Sequence, residues 1–150
     1  MHFLNVLTIL CTGLMAGNEL AVSLFVNPVI WQLEEQAQAK ALRLFARSLG
    51  KAMPFWYIAG LILLGVEAYL HRHDPAATLL LVAVAIWAAT IPYTLFTLLP
   101  INNRIAALTA TALPAGWRQE HKKWDTLHRW RILMLALAVA CFSYGILGLC

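Results

Sequence analysis

The sequence predicts an all-α integral membrane protein, a single domain over residues 1–150 that forms a transmembrane four-helix bundle. Charged residues make up only 12% of the chain, whereas a soluble domain of this length carries about 25%. The hydrophobic fraction of 61% and the mean hydropathy of +0.71 indicate that the exterior avoids water as well as the core. A surface that faces lipid explains this composition.

Four segments are apolar over the roughly 20 residues that a helix needs to cross a bilayer. They run over about residues 3–30, 54–70, 76–99 and 130–149. We interpret the first as a mature helix and not as a signal peptide, because it is too long and has neither a basic n-region nor a small-x-small cleavage site. The remainder of the chain forms the connections.

The distribution of lysine and arginine predicts the orientation, because positive residues near helix ends stay on the cytoplasmic side. The first connection carries Lys40, Arg43, Arg47 and Lys51, and the third carries Arg104, Arg118, Lys122, Lys123, Arg129 and Arg131, whereas the second carries only Arg72. We therefore expect a protein of the inner membrane with both termini outside and connections one and three in the cytoplasm. The net charge of +4 then reflects topology, and nucleic acid is not an expected partner.

The first connection, Gln32 to Met53, has the pattern of an amphipathic helix. Its apolar residues recur near one face: Leu33, Ala37, Ala41, Phe45 and Leu49. Such a helix suits the membrane interface or prolongs a spanning helix. Gly50 and Pro54 predict its end.

The third connection is also expected to be helical. The segment Leu99-Pro100-Ile101-Asn102-Asn103 predicts the end of the third span, and Pro114 to Gly116 predicts a turn before a new helix that leads into the fourth span. On that helix, steps of four and three residues place one set of side chains on a shared face: Trp117, His121, Trp124, His128 and Arg131.

Glu19 is the clearest candidate for a functional group, because an ionisable side chain inside a span is costly and usually faces a functional interior. It belongs to a polar stripe on the first helix that continues to Ser23 and Asn27. Its depth matches Tyr57, Thr94 and the first turn of the fourth helix, so His128 and Arg131 are the expected partners. A structural Glu–Arg pair that sets helix register is the alternative interpretation.

A second polar group lies at the outer end of the bundle and consists of His2, Glu67, His71, His73 and Asp74. Imidazole with carboxylate suits zinc, copper or iron, so Glu67, His71 and His73 are weak candidates for metal ligands. Neither spacing is specific, and a solvated turn explains the same residues. The three cysteines, Cys11, Cys141 and Cys150, show no C-x-x-C spacing and are expected to pack as small apolar residues.

The segment Leu99-Pro100-Ile101-Asn102, followed by Trp124-x3-His128-x2-Arg131, resembles the anthrone oxygenase-like membrane family. The resemblance covers the chain in helix number and length, and its distinctive residues are Asn102, Trp124, His128 and Arg131. Asn18 and Glu19 match the family pattern more loosely.

The resemblance implies oxidation of an anthrone to a quinone by dioxygen, with no metal or flavin cofactor. The base would be His128 or a desolvated Glu19. Arg131 and Asn102 would stabilise the oxyanion. Trp124 and Tyr57 would stack on the planar substrate. Thr94 and Asn18 complete the expected substrate-binding residues.

Two other interpretations stay open at this point. In the first, the chain is a non-enzymatic bundle that binds a lipid, a quinone or a partner protein, and its polar stripes serve assembly. In the second, it is a metal-dependent membrane oxidoreductase that uses the outer histidines. The expected ligand is an apolar small molecule or lipid, and a homo-oligomer is compatible with the sequence.

Overall fold

The computed structural model describes residues 2–109 and 113–148 of the chain. In this part of the chain there are four long helices, α1 (His2–Trp31), α2 (Glu35–Leu70), α3 (Ala77–Ala106) and α4 (Trp117–Leu147), each apolar enough to cross a membrane. This confirms the predicted all-α class with four helices that are long and apolar enough to span a membrane. A helix of 30 residues is about 45 Å long, and the hydrocarbon core of a bilayer is about 30 Å thick, so each helix extends beyond it.

The helices form a ring in which each contacts the next along the chain and α4 also contacts α1. Short connections make consecutive helices antiparallel, as in an up-down-up-down bundle. One end of the bundle is marked by the hydrogen bond from Thr8 on α1 to Glu67 on α2. The other end, where the basic connections lie, is marked by the hydrogen bond from Trp117 on α4 to Glu35 on α2.

The expected helix end at Gly50 and Pro54 is wrong, because α2 runs without a break from Glu35 to Leu70. The amphipathic segment therefore prolongs the second span, which was one of its two predicted roles. Pro54 has no N–H to donate to the carbonyl of Gly50, four residues earlier. Membrane helices tolerate such a gap where neighbouring groups or local adjustments satisfy the freed carbonyl.

The expected end of the third span at Leu99 to Asn103 is also wrong, since α3 continues through Pro100 to Ala106. A π-helical turn, Thr94–Leu98, precedes this proline, and the N–H of Leu99 bonds to the carbonyl of Thr94. A matching turn, Val22–Val26, precedes Pro28 on α1. The wider turns accommodate the missing proline donor without ending the helix, and such turns are frequent at functional sites.

The predicted start of a new helix after Pro114 to Gly116 is confirmed, because α4 begins at Trp117. Gly116 has a φ of 82°, a backbone conformation that favours glycine. The five residues that were predicted to share a face are all buried, namely Trp117, His121, Trp124, His128 and Arg131. They point into the bundle.

Two apolar clusters fill the interior. The first lies towards the end that contains Glu67 and includes Met15, Leu64, Leu80, Trp87, Leu135 and Phe142. The second lies towards the basic connections and includes Ile30, Leu42, Leu98, Ile105, Trp117 and Trp124. On each of α1, α3 and α4, a polar residue falls between the two clusters, and these are Glu19, Thr94 and Arg131.

Candidate functional site

The site is built around the Glu19 carboxylate, which lies between α1 and α4. Its Oε2 atom accepts a hydrogen bond from Nη2 of Arg131 at 2.5 Å and is paired with Nε2 of His128. The three side chains are buried in protein, with exposed fractions of 3% for Glu19, 1% for His128 and 7% for Arg131. A buried carboxylate is stable in such a place only when it is paired and hydrogen-bonded.

Arg131 extends this centre to the other two helices. Its Nη1 donates to Oγ1 of Thr94 on α3 at 3.3 Å. Its guanidinium carbon lies 5.6 Å from the centre of the Tyr57 ring on α2, within the range of a cation–π contact. Glu19, Arg131, Thr94 and Tyr57 therefore join all four helices at one depth.

Aromatic and imidazole rings stack along the inner face of α4. The rings of His128 and Trp124 lie 4.5 Å apart at 17°, and those of Trp124 and His121 lie 5.7 Å apart at 14°. Trp31 on α1 continues the series at 5.3 Å from His121. The two contacts within α4 follow from the steps of three and four residues, which put the rings above one another on a helix, whereas the contact of Trp31 depends on how α1 packs against α4.

A cavity of about 310 Å³ lies beside the Glu19 centre and the ring stack. Most of its walls are aliphatic or aromatic carbon, as in ligand pockets generally. Its polar lining residues are Glu19, Asn27, Tyr57, Thr94, Asn102, Trp124, His121, His128 and Arg131. Seven of the eight residues predicted for the site are thus brought together around one space.

Asn18 is the exception, and its assignment as a substrate-binding residue is not supported. It is absent from the cavity lining, and its Nδ2 atom instead lies 4.0 Å from Sδ of Met53. One residue along an α-helix turns the side chain by about 100°, so Asn18 and Glu19 cannot share a face.

Several buried polar atoms of the site have no hydrogen-bond partner within the two described ranges. They are the Tyr57 hydroxyl, both ring nitrogens of His121, Nε1 of Trp124, Nδ1 of His128 and Nε of Arg131. An unsatisfied buried polar group costs about 1–3 kcal/mol. Such atoms are therefore candidates for ligand contacts and not for fold stabilisation.

One polar contact of the site was not predicted. Nδ2 of Asn27, on α1, donates to Oδ1 of Asp125 on α4 at 2.8 Å. Asp125 also pairs with Arg129 at 3.0 Å. The sequence pointed to Asn27, because it continues the polar stripe of Glu19 on α1. It did not point to Asp125, because the spacing along α4 places this residue off the inner face.

The outer polar group comes together only in part. His71 pairs with Oδ2 of Asp74 at 2.6 Å and with Oε2 of Glu67 at 3.5 Å, whereas His73 is exposed. Across residues 2–109 and 113–148, no group of three or more histidine, cysteine or acidic side chains is arranged to hold a metal ion. The weak metal assignment to Glu67, His71 and His73 is not supported there.

Comparison with known proteins relates most of the chain to one family. The family model described as anthrone oxygenase matches residues 41–141, a range that contains Tyr57, Thr94, Asn102, His128 and Arg131. The match does not extend to Glu19. No curated protein and no solved structure matches the chain.

Proposed function

This chain belongs to the anthrone oxygenase family, and from that premise we propose that it oxidises an anthrone-type polycyclic phenol with dioxygen and without a metal or flavin. The observation that supports this most directly is the convergence of His128 and Arg131 on the Glu19 carboxylate at the wall of an apolar cavity. A potential base, a cation and an aromatic wall meet there in a place sheltered from water.

A flat ring system is the ligand that this cavity suits. Trp124 lines it and is already stacked with His128, so a planar substrate can pack against the same set of rings. The aliphatic lining contributes through burial of apolar surface and gives little orientation by itself. Orientation then depends on the few polar groups.

His128 is the proposed base. When its Nε2–H donates to Glu19, the neutral imidazole carries its lone pair on Nδ1, which has no hydrogen-bond partner in the described part of the chain. Glu19, already held by Arg131, acts as the group that sets this tautomer and stabilises the imidazolium. The arrangement is that of a base oriented by a carboxylate.

Arg131 and Asn102 are the proposed stabilisers of the developing oxyanion. Nε of Arg131 has no protein partner in the residues described, although its two terminal nitrogens contact Glu19 and Thr94. Asn102 lines the cavity from α3 and is only partly buried. Donors fixed before the reaction stabilise charge more effectively than mobile water does.

The proposed reaction begins with removal of a proton and ends with release of water. His128 removes a proton from the methylene carbon, and the resulting carbanion is delocalised onto the ketone oxygen. Dioxygen takes up the electron pair of the carbanion, so that a C–O bond forms and a hydroperoxide results after protonation. The second methylene proton then leaves, the O–O bond breaks and one water is released with the quinone.

Oxygen uptake by the purified protein with an anthrone tests this proposal. We expect one dioxygen per anthrone and a quinone product, and we expect His128→Gln to lower turnover by about 10²–10⁴-fold, the usual contribution of a general base. His73→Gln is the matched control, because that histidine is exposed at the other end of the bundle. Absence of oxidation, or full turnover by His128→Gln, would refute the catalytic assignment.

A bundle that binds its ligand without catalysis is the second candidate. It is favoured by the pairing of one carboxylate oxygen with both Arg131 and His128, which would also serve to set helix register. Binding of an anthrone with no oxygen uptake would support this function instead.

A further inference from the structure

The cavity has two chemically different walls. The polar wall comes mainly from α1 and α4, and its central residues, Glu19, His128 and Arg131, are buried. The opposite wall comes from α2 and α3, and several of its residues line the cavity while also lying exposed on the outside of the bundle: Phe45, Gly50, Pro54, Ile58, Leu95 and Leu99. The cavity is thus open between α2 and α3.

This opening, which we call the α2–α3 slot, is apolar. Ile58 is 54% exposed and Leu95 is 50% exposed, and neither charged nor amide side chains occur among the six residues. Phe55 and Phe96 beside it are 77% and 81% exposed. On helices that span a membrane, such surfaces lie against acyl chains and not against water.

The backbone explains why the two helices leave a gap here. Gly50 has no side chain, and a Cβ added to it would meet no other atom within 4 Å. Pro54 follows four residues later, so the Gly50 carbonyl has no helical donor. On α3 the slot coincides with the π-helical turn Thr94–Leu98, which widens the helix beside it.

The size of the cavity limits what it can enclose. Ligand pockets range from roughly 300 to 1,000 Å³, and the cavity of about 310 Å³ is at the lower end of this range. It accommodates a small fused-ring head but not a ring together with a long chain. Any apolar chain on the ligand would have to leave through the slot.

We propose that the site takes a ring-headed amphiphile, whose oxygenated aromatic head lies against Glu19, His128 and Arg131 and whose apolar chain passes through the α2–α3 slot into the lipid. This rests on the proposed function for the position of the head. A chain that stays among acyl chains needs no transfer out of the membrane, so it adds no cost to binding. Gly50 lines the slot, and its lack of a side chain leaves the space through which the chain passes.

Binding of two probes in lipid nanodiscs tests the proposal. The probes are naphthoquinone and its decyl derivative, which share one head. Affinity is expressed as the mole fraction of probe in the lipid, so that the different partition of the two probes into the bilayer does not enter the comparison. Wild type is expected to bind both. Gly50→Trp places a bulky side chain in the slot and should weaken the decyl compound relative to naphthoquinone by about tenfold, or about 1.4 kcal/mol.

Gly65→Trp is the matched control. Gly65 is on the same helix, has equally open space around an added Cβ and does not line the cavity. Both substitutions remove a helix-destabilising glycine. We expect the ratio of the two affinities to stay at the wild-type value in Gly65→Trp.

The outcomes separate this proposal from the proposed function. Rejection of the decyl compound by wild type, or an unchanged affinity ratio in Gly50→Trp, would overturn the slot while leaving anthrone oxidation intact. Equal weakening of both probes in Gly50→Trp would overturn it as well. Binding of both probes with the expected ratio change, but without oxidation of an anthrone, would refute the oxygenase and support the slot. Binding of neither probe would overturn the slot, and oxygen uptake with an anthrone would still decide the proposed function.

Discussion

Glu19 and Arg131 are 112 residues apart in the sequence, yet their side chains meet at 2.5 Å in the interior of the bundle. Both are ionisable groups on helices long and apolar enough to span a membrane, and both are buried. The pairing offsets the cost of burying these two groups, because a charge in an apolar interior is stable only beside its counter-ion. It also provides the fixed charges of the proposed site.

Removal of one partner of this pair should destabilise the protein. Arg131→Met leaves the Glu19 carboxylate without its cation, and breaking a buried pair typically costs about 3–5 kcal/mol. Denaturant unfolding in detergent measures the loss. The double variant Glu19→Leu with Arg131→Met should recover a large part of it, because no unpaired charge remains.

The exposed pair Arg104 and Glu120 is the control for that experiment. Its nitrogen and oxygen lie 2.9 Å apart, but both side chains are largely in solvent or head groups. Arg104→Met should therefore change stability by only about 0–1 kcal/mol. Equal effects of Arg131→Met and Arg104→Met would show that burial does not matter at Glu19.

Trp124→Ala should weaken substrate binding more than it slows turnover at saturation. The indole lines the cavity and stacks on His128, so its removal takes away the aromatic wall while the Glu19 centre remains. An aromatic pair contributes about 0.5–1.5 kcal/mol in addition to the free energy of burying its surface. Its loss therefore predicts a rise in KM of several-fold or more. Trp130→Ala, at a residue 60% exposed on the outside, should leave KM unchanged.

Gly60→Ala should destabilise the bundle, because α2 and α3 approach closely at this residue. A Cβ at Gly60 would lie 2.5 Å from Cζ2 of Trp87, whose side chain is fully buried and whose Nε1 donates to the carbonyl of Tyr57 at 3.0 Å. Overpacking of this kind typically costs about 1–3 kcal/mol. Thermal unfolding should show a lower midpoint for Gly60→Ala than for Gly65→Ala, where an added Cβ meets nothing within 4 Å.

The topology remains a prediction from the positions of lysine and arginine, and single-cysteine labelling tests it. In a background without native cysteines, Lys122→Cys should react with a membrane-impermeant thiol reagent only after cells are opened. Arg72→Cys, on the second connection, should react in intact cells. Labelling of Lys122→Cys from outside would reverse the orientation.

The candidate residues of the site were largely predictable because they are unusual in a lipid-facing sequence. Glu19 is an ionisable residue within a span, and Trp124, His128 and Arg131 recur at helical steps. Asn18 lies outside the cavity lining although it neighbours Glu19, because adjacent residues point to different sides of a helix. Asp125 was missed because its contact with Asn27 depends on how α1 and α4 are rotated.

The sequence by itself determined the all-α membrane class and the burial of the polar faces, because a chain with so few charges must expose apolar surface and must hide its ionisable groups. Only the tertiary structure decided that α2 and α3 continue through Pro54 and Pro100, and that His128 and Arg131 both contact one carboxylate oxygen of Glu19. Whether a proline or glycine ends a helix depends on the groups packed around it, which the sequence does not give. Lipid favours a continued helix because it offers exposed backbone no hydrogen bonds. The contacts between helices depend on rotation and tilt, which periodicity within one helix does not contain.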